Sequence, residues 1–167
     1  ELVNELMEVG AHFLEMNDNE INPTEVVATL INQKPSLSAG IRYAQTKIDG
    51  SMSMLVATKK GVYCGRDLLG RTPIIIGEKE DGSLAAAFES HAYLNLGYHT
   101  IRELKPGEVI FISHEEGIIE KIPAYHKKQV CSFLWTYYGY PTATYEGVNV
   151  EDSRYKCGAM LAKADKE

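Results

Sequence analysis

The chain has 167 residues, with 23 acidic against 17 basic side chains and a net charge of −6. The basic residues form no stripe that could track a phosphate backbone, so nucleic acid is not an expected partner. No run approaches the roughly 20 apolar residues that a membrane span requires and no secretory signal opens the sequence, so a cytoplasmic protein without membrane contact is expected.

The first elements are helical. Leu2, Leu6 and Met7 recur at helical spacing, with Gly10 placed to end the turn. In INPTEVVATLINQ, Asn22 suits the N-cap, Pro23 the first helical position, and Glu25 the acceptor position of a capping box. A third helix is predicted from about Ser36 to Ile48, with Leu37, Ile41, Ala44 and Ile48 on one face and Asp49-Gly50 closing it. From there the period changes to two. SMSMLVAT, GVYCGR, PIIIGE, SLAAAFES, GEVIFIS and GIIEKI are short β-prone runs, separated by turn signals such as Asp81-Gly82, Pro106-Gly107 and Glu116-Gly117. A short helix is predicted from His91 to Leu96. The end of the chain returns to helix, with Val150, Tyr155, Met160 and Leu161 as candidate packing positions. Helices followed by an antiparallel meander indicate the α+β class.

Four motifs stand in series within this meander: Gly50-x-x-Ser53, Arg66-Asp67-x-x-Gly70-x-x-Pro73, Glu89-Ser90 before the short helix, and Pro106-Gly107-Glu108 before a strand. In order and spacing they resemble the second half of the class II glutamine amidotransferase domain. The next segments, CSFLWTYYGYP and VNVEDSRYKCGAMLA, resemble the amidophosphoribosyltransferases of purine synthesis at Cys131, Phe133, Tyr137, Tyr138, Pro141, Arg154, Gly158, Leu161 and Ala162. The chain departs from that family at Leu134, Tyr140 and Thr142, where Glu, Arg and Asp are usual, and at Phe88, which replaces the first serine of a Ser-Glu-Ser.

The resemblance implies an N-terminal nucleophile hydrolase-type αββα sandwich of antiparallel sheets. It divides the chain into the C-terminal portion of a glutaminase domain, residues 1–126, and a connecting segment leading into a phosphoribosyltransferase region, residues 127–167. In that family an N-terminal cysteine thiolate attacks the glutamine side-chain amide, its free α-amino group acts as base, and an Asn-Gly pair stabilises the oxyanion. None of these parts is in this chain: Glu1 stands first, and ELVNELMEVG resembles the helix after the oxyanion strand. The chain is therefore expected to be a piece truncated at both ends and inactive alone. The intact protein would be a homo-oligomer that passes ammonia from glutamine to phosphoribosyl pyrophosphate, with Mg²⁺ and a 4Fe–4S cluster as the cofactors the resemblance suggests. Two alternatives remain: a non-catalytic module that keeps the scaffold for oligomerisation or ligand sensing, and a fragment of another class II amidotransferase such as an asparagine synthetase.

Asp18 aligns with the family aspartate that binds the α-ammonium of glutamine, a group whose three donors suit a carboxylate; a plain cap or turn is the competing role. Cys131 occupies the position of one cluster cysteine, where three further thiolates would have to come from elsewhere. Cys131 with Cys64 and Cys157 makes an odd, widely spaced set without a Cys-x-x-Cys pair, which argues against a disulfide framework or a complete zinc site. Arg66, Asp67, Gly70, Arg71 and Pro73 read as a fold-marking turn, and Glu89 and Ser90 as a strand end and a helix cap. The aromatic residues Phe133, Trp135, Tyr137, Tyr138 and Tyr140 have no interleaved basic residues and read as packing against a neighbouring domain or subunit.

Overall fold

The computed structural model describes residues 1–14, 16–17 and 20–165. Its contacts divide the chain into two compact units, Glu1–Gly50 and Ser51–Glu167.

The first unit is helical. Helix α1 (Leu2–Glu8) buries Leu6 and leaves Met7 exposed. A short pairing of β1 (Met16–Asn17) with β2 (Glu20–Ile21) leads into α2 (Pro23–Asn32). Asn22 caps α2 as expected, its side chain accepting from the Thr24 N–H at 2.9 Å. The carboxylate of Glu25 accepts from the backbone N–H of Leu14 at 2.9 Å, which ties the incoming chain to the start of the helix. Helix α3 (Leu37–Lys47) is capped by Ser36, whose hydroxyl accepts from the Ala39 N–H. Ile41 and Ala44 are fully buried. A Cβ on Gly40 would come within 2.3 Å of the Ile31 carbonyl oxygen, so only glycine lets α2 and α3 approach this closely.

The second unit contains two antiparallel sheets. One has the strand order β3 (Met54–Thr58), β4 (Gly61–Gly65), β8 (Val109–Ser113), β9 (Gly117–Ile122); the other has β6 (Leu84–Ala87), β5 (Ile75–Glu78), β7 (His99–Glu103). Cys64, Ile74, Ile76, Leu104, Ile110 and Ile112 form one buried cluster with residues of both sheets. Ile75, one position out of phase, joins a second cluster with Tyr93, Leu134, Ala143, Tyr145 and Val150. Successive strand residues point to opposite faces, so the unbroken Ile74-Ile75-Ile76 run marks a strand buried on both sides. Cutting any of these isoleucines back to alanine should cost about 2–5 kcal/mol.

The second cluster joins Ile75 of β5 to elements outside the two sheets. A 3₁₀ turn at Ser90–Tyr93 sends the Tyr93 hydroxyl to the Ile75 carbonyl at 2.6 Å. A π-helical turn at Leu134–Tyr138 is followed by a hairpin of β10 (Thr144–Tyr145) and β11 (Val148–Asn149), and then α4 (Val150–Ala164). The segment from 127 onward thus belongs to the same compact unit as the sheets.

Several expectations need correction. The predicted helix at 91–96 is a single 3₁₀ turn starting at Ser90. Strand β7 and the β10–β11 hairpin lacked a sequence signal: β7 is largely exposed and polar, and the hairpin strands are two residues long. On α4 only Val150 packs, whereas Tyr155, Met160 and Leu161 are exposed because no described element covers their face. No helix among the described residues is long and apolar enough to cross a membrane.

Candidate functional site

The Arg-Asp-x-x-Gly and Pro-Gly-Glu motifs form one buried knot. Asp67, 1 % exposed, accepts with Oδ1 from the Leu69 and Arg71 N–H groups at 3.2 and 3.0 Å, and with Oδ2 from the Thr72 N–H at 3.0 Å and the Ser53 hydroxyl at 3.3 Å. Its carbonyl accepts from both Gly70 and Gly107 N–H groups. Arg66 donates its N–H to the Glu108 carbonyl, and its guanidinium donates to the carbonyls of Leu104 and Gly70. Glu108, itself buried, pairs with Arg102 and accepts from the Lys105 N–H at 2.8 Å. Gly70 sits at φ +73°, where a Cβ would press to 2.8 Å against Pro106. The Ser53, Arg66–Asp67, Gly70 and Pro106–Glu108 motifs therefore meet in one place, and their charges are taken up by backbone groups and buried ion pairs.

Around Arg66 lies a carboxylate network that the sequence did not announce. Arg66 is 2.8 Å from a Glu146 oxygen and 3.3 Å from a Glu103 oxygen. Lys128 donates to the other Glu146 oxygen at 2.7 Å, and the Glu146 N–H donates to Glu103 at 2.8 Å. Glu146 holds a left-handed φ of 51° at the hairpin tip, a conformation its ion pairs help to fix. Burial raises the Glu103 pKa, only partly offset by the Glu146 N–H and the Arg66 charge. Burial pushes Glu146 the same way, but hydrogen bonds from Lys128 and Arg66 outweigh it and hold that carboxyl below its ordinary value. The one usable signal was Glu146-Gly147, a turn dipeptide like Glu116-Gly117.

Beside the knot opens a cleft of about 820 Å³. Arg71, Thr72 and Pro73 line one part of it and Glu89 another; the remaining wall is aromatic and apolar, including Phe88, Phe133 and Tyr138. Two departures from the family pattern, Phe88 and Leu134, both lie here. Glu89 Oε2 is 2.7 Å from His91 Nδ1, and His91 stacks on Tyr140 at 4.7 Å between centroids. Ser90 does not cap the 3₁₀ turn; its hydroxyl accepts from the Thr144 N–H at 2.9 Å, joining that turn to the hairpin. Tyr145 is fully buried at the cleft wall with its hydroxyl facing the Glu89 carboxylate. Burial and the nearby Glu89 charge raise its pKa. Of the other two departures, Tyr140 is the residue stacked on His91, and Thr142 lines a separate cleft that also contains Glu103.

Asp18 lies outside the described residues. Cys64 is buried in the inter-sheet cluster, where burial pushes its thiol up to about 12, so it is chemically inert at neutral pH. Cys131 is an exposed free thiol at the cleft, and Cys157 is exposed on α4. No group of three or more His, Cys, Asp or Glu residues among those described could hold a metal ion. A cluster requires four thiolates, so the residues present here do not by themselves fit an iron–sulfur centre.

No protein-family model matches the chain. Among curated proteins it is 29 % identical over 163 residues to the amidophosphoribosyltransferase of Archaeoglobus fulgidus, covering 98 % of this chain and 35 % of that protein. The likeness is to amidophosphoribosyltransferases. The Bacillus subtilis amidophosphoribosyltransferase is 29 % identical over 142 residues, covering 84 % of this chain and 30 % of its own length. The structure of the glutamine phosphoribosylpyrophosphate amidotransferase from B. subtilis, complexed with ADP and GMP, superposes with a TM-score of 0.86 at 27 % identity over 99 % of this chain and 36 % of that one. A second structure, described as the allosteric regulatory enzyme of purine biosynthesis, gives the same score and identity over 35 % of its chain. This bears out the α+β, N-terminal nucleophile hydrolase-type reading of the fold. The chain spans about a third of the length of the curated amidophosphoribosyltransferases it matches.

Proposed function

We propose that this chain is part of the glutaminase domain of an amidophosphoribosyltransferase-like enzyme, whose residues 127–167 lead toward a phosphoribosyltransferase region. The intact protein hydrolyses the side-chain amide of glutamine and transfers the ammonia to phosphoribosyl pyrophosphate, giving 5-phosphoribosylamine, glutamate and pyrophosphate in purine biosynthesis. The observation that carries this reading is the likeness to amidophosphoribosyltransferases along nearly the whole chain, in sequence and in fold together.

In this reading the role of the described residues is to hold the scaffold on which the chemistry is placed. All three cysteines are internal, so none has the free α-amino group the glutaminase nucleophile uses as base. The nucleophile is therefore supplied from outside these residues, and the chain alone catalyses neither half-reaction. Asp18 binds the α-ammonium of glutamine, and the intact enzyme is a cytoplasmic homo-oligomer.

The test is to assay the full-length protein for glutamate release from glutamine, with and without phosphoribosyl pyrophosphate, while measuring pyrophosphate. Coupled release of both products supports the proposal. A folded full-length protein that releases neither contradicts it. An Asp18→Ala variant with an unchanged KM for glutamine would remove Asp18 from the binding site.

A further inference from the structure

The turn at Leu134–Tyr138 closes with a π-type hydrogen bond, from the Gly139 N–H to the Leu134 carbonyl at 2.8 Å. In an α-helix that N–H would go to the Trp135 carbonyl, so the π register leaves the Trp135 carbonyl without its helical donor. Arg154 of α4 supplies one. Its Nε donates to the Trp135 carbonyl at 2.8 Å, and Nη2 of the same guanidinium donates to the Gly139 carbonyl at 2.8 Å. Two prongs of one planar group thus grip both ends of the turn, a fixed fork that a lysine ammonium lacks. Gly139 serves the same closure: a Cβ there would lie 2.3 Å from the Leu134 carbonyl oxygen that accepts its N–H, and 2.7 Å from Tyr145.

The turn has two faces. Trp135 and Thr136 line a groove of about 280 Å³ together with Arg154, Cys157 and Leu161 of α4. Leu134, Tyr137 and Tyr138 form part of the wall of the large cleft beside the knot. The α4 side is therefore bridged across a groove rather than packed solid. Among the described residues, the side-chain hydrogen bonds from α4 to this turn come from Arg154, while the Trp135 indole donates to the Val148 carbonyl at 3.0 Å. Leu134 is buried in the second core cluster and is the fixed point about which the turn can change. A return from π to α register removes one residue's worth of helical rotation, about 100°, and would re-aim the tyrosines on the cleft face. We propose that Arg154 is a positioning residue: it latches the Leu134–Tyr138 turn in its π register, so that the placement of α4 sets the shape of the aromatic cleft wall. A displacement of α4 that withdraws Arg154 frees the turn, and the cleft changes with it. The inference rests on this geometry and does not depend on glutaminase activity.

The experiment is fluorine NMR of the full-length protein carrying fluorotyrosine, with Tyr137, Tyr138 and, as a control, Tyr63 of β4 assigned by single Tyr→Phe substitutions. Each hydrogen bond from the Arg154 guanidinium is worth about 10-fold or more in an equilibrium constant, so Arg154→Ala should raise the population of the released turn at least about 10-fold. The Tyr137 and Tyr138 resonances should then move or split while that of Tyr63 stays in place. Gly139→Ala attacks the closure from within the turn and should move the same two resonances. Arg154→Lys keeps the charge without the fork and should move them as well. Gly158→Pro sets a proline ring against the Arg154 carbonyl and breaks α4 there. It should move the two resonances in the wild-type background and add nothing in Arg154→Ala, because the helix acts on the turn through Arg154. A folded Arg154→Ala protein with unmoved Tyr137 and Tyr138 resonances and only a lower urea midpoint would overturn the proposal, since Arg154 would then stabilise without positioning. Unmoved resonances in Arg154→Lys would overturn the fork, and an equal effect of Gly158→Pro in both backgrounds would overturn the coupling. Should Arg154→Ala fail to fold, Arg154→Lys and Gly139→Ala decide by the same resonances.

Discussion

Arg66 and Arg71 belong to the same short turn, yet their surroundings differ in almost every respect. Arg66 is 1 % exposed and is held by two backbone carbonyls and two carboxylates. The side chain of Arg71 has no such partner among the described residues and lines an open cleft. The backbone N–H of Arg71, however, is fixed by the Asp67 carboxylate at 3.0 Å. The rigid half of the turn thus positions the unsatisfied half. A buried guanidinium whose donors are taken up internally has little left for a substrate, whereas an unpaired one at a cleft is available to bind.

The comparison can be broken most directly at Arg66. Replacing it by glutamine leaves Glu103 and Glu146 without their shared cation, and should cost about 3–5 kcal/mol of stability, read as a lower urea midpoint. Glu146→Gln comes next, at about 1.5–3 kcal/mol near pH 7. Because the Glu146 pKa is lowered in the folded protein, its contribution is present above the ordinary carboxylate pKa and is lost as pH falls through the lowered folded value. The gap between wild type and Glu146→Gln should therefore close in acid, measured by unfolding at stepped pH. Glu103 has the opposite sign: burial favours its neutral form, so stability from this group rises as pH falls through its raised folded pKa. Glu103→Gln should accordingly cost less than Glu146→Gln at neutral pH. Gly70→Ala forces a side chain into the left-handed region against Pro106, about 1–2 kcal/mol from the backbone alone. Arg71→Gln should be the smallest, within about 0.5 kcal/mol, since it removes no internal contact.

The parts of the fold that were legible in the sequence are those fixed by near neighbours. Asn22 and Ser36 cap their helices, and Asp81-Gly82 and Glu116-Gly117 turn hairpins, because a cap or turn needs only residues a few positions apart. The Ile74-Ile75-Ile76 run showed an apolar strand, but not that it would serve two cores. What stayed hidden depends on distant partners. Glu103 and Glu146 reach Arg66 only after the sheet and the late hairpin have formed, and neither local period nor turn chemistry carries that information. The cleft was hidden for the same reason: Arg71, Glu89 and Tyr145 come from a turn, a strand end and a hairpin. The exposed apolar face of α4 shows the converse, since helical period marks which residues share a face but not whether anything covers it.

The contrast between the two arginines is tested most directly by preparing Arg66→Gln and Arg71→Gln in the full-length protein and measuring urea unfolding and glutamine turnover for both. Arg66→Gln should lower the unfolding midpoint, with any loss of turnover following the loss of folded protein, while Arg71→Gln should leave the midpoint unchanged. An Arg66→Gln protein that keeps normal stability but loses glutamine turnover would contradict the account, because Arg66 would then serve the reaction rather than the fold.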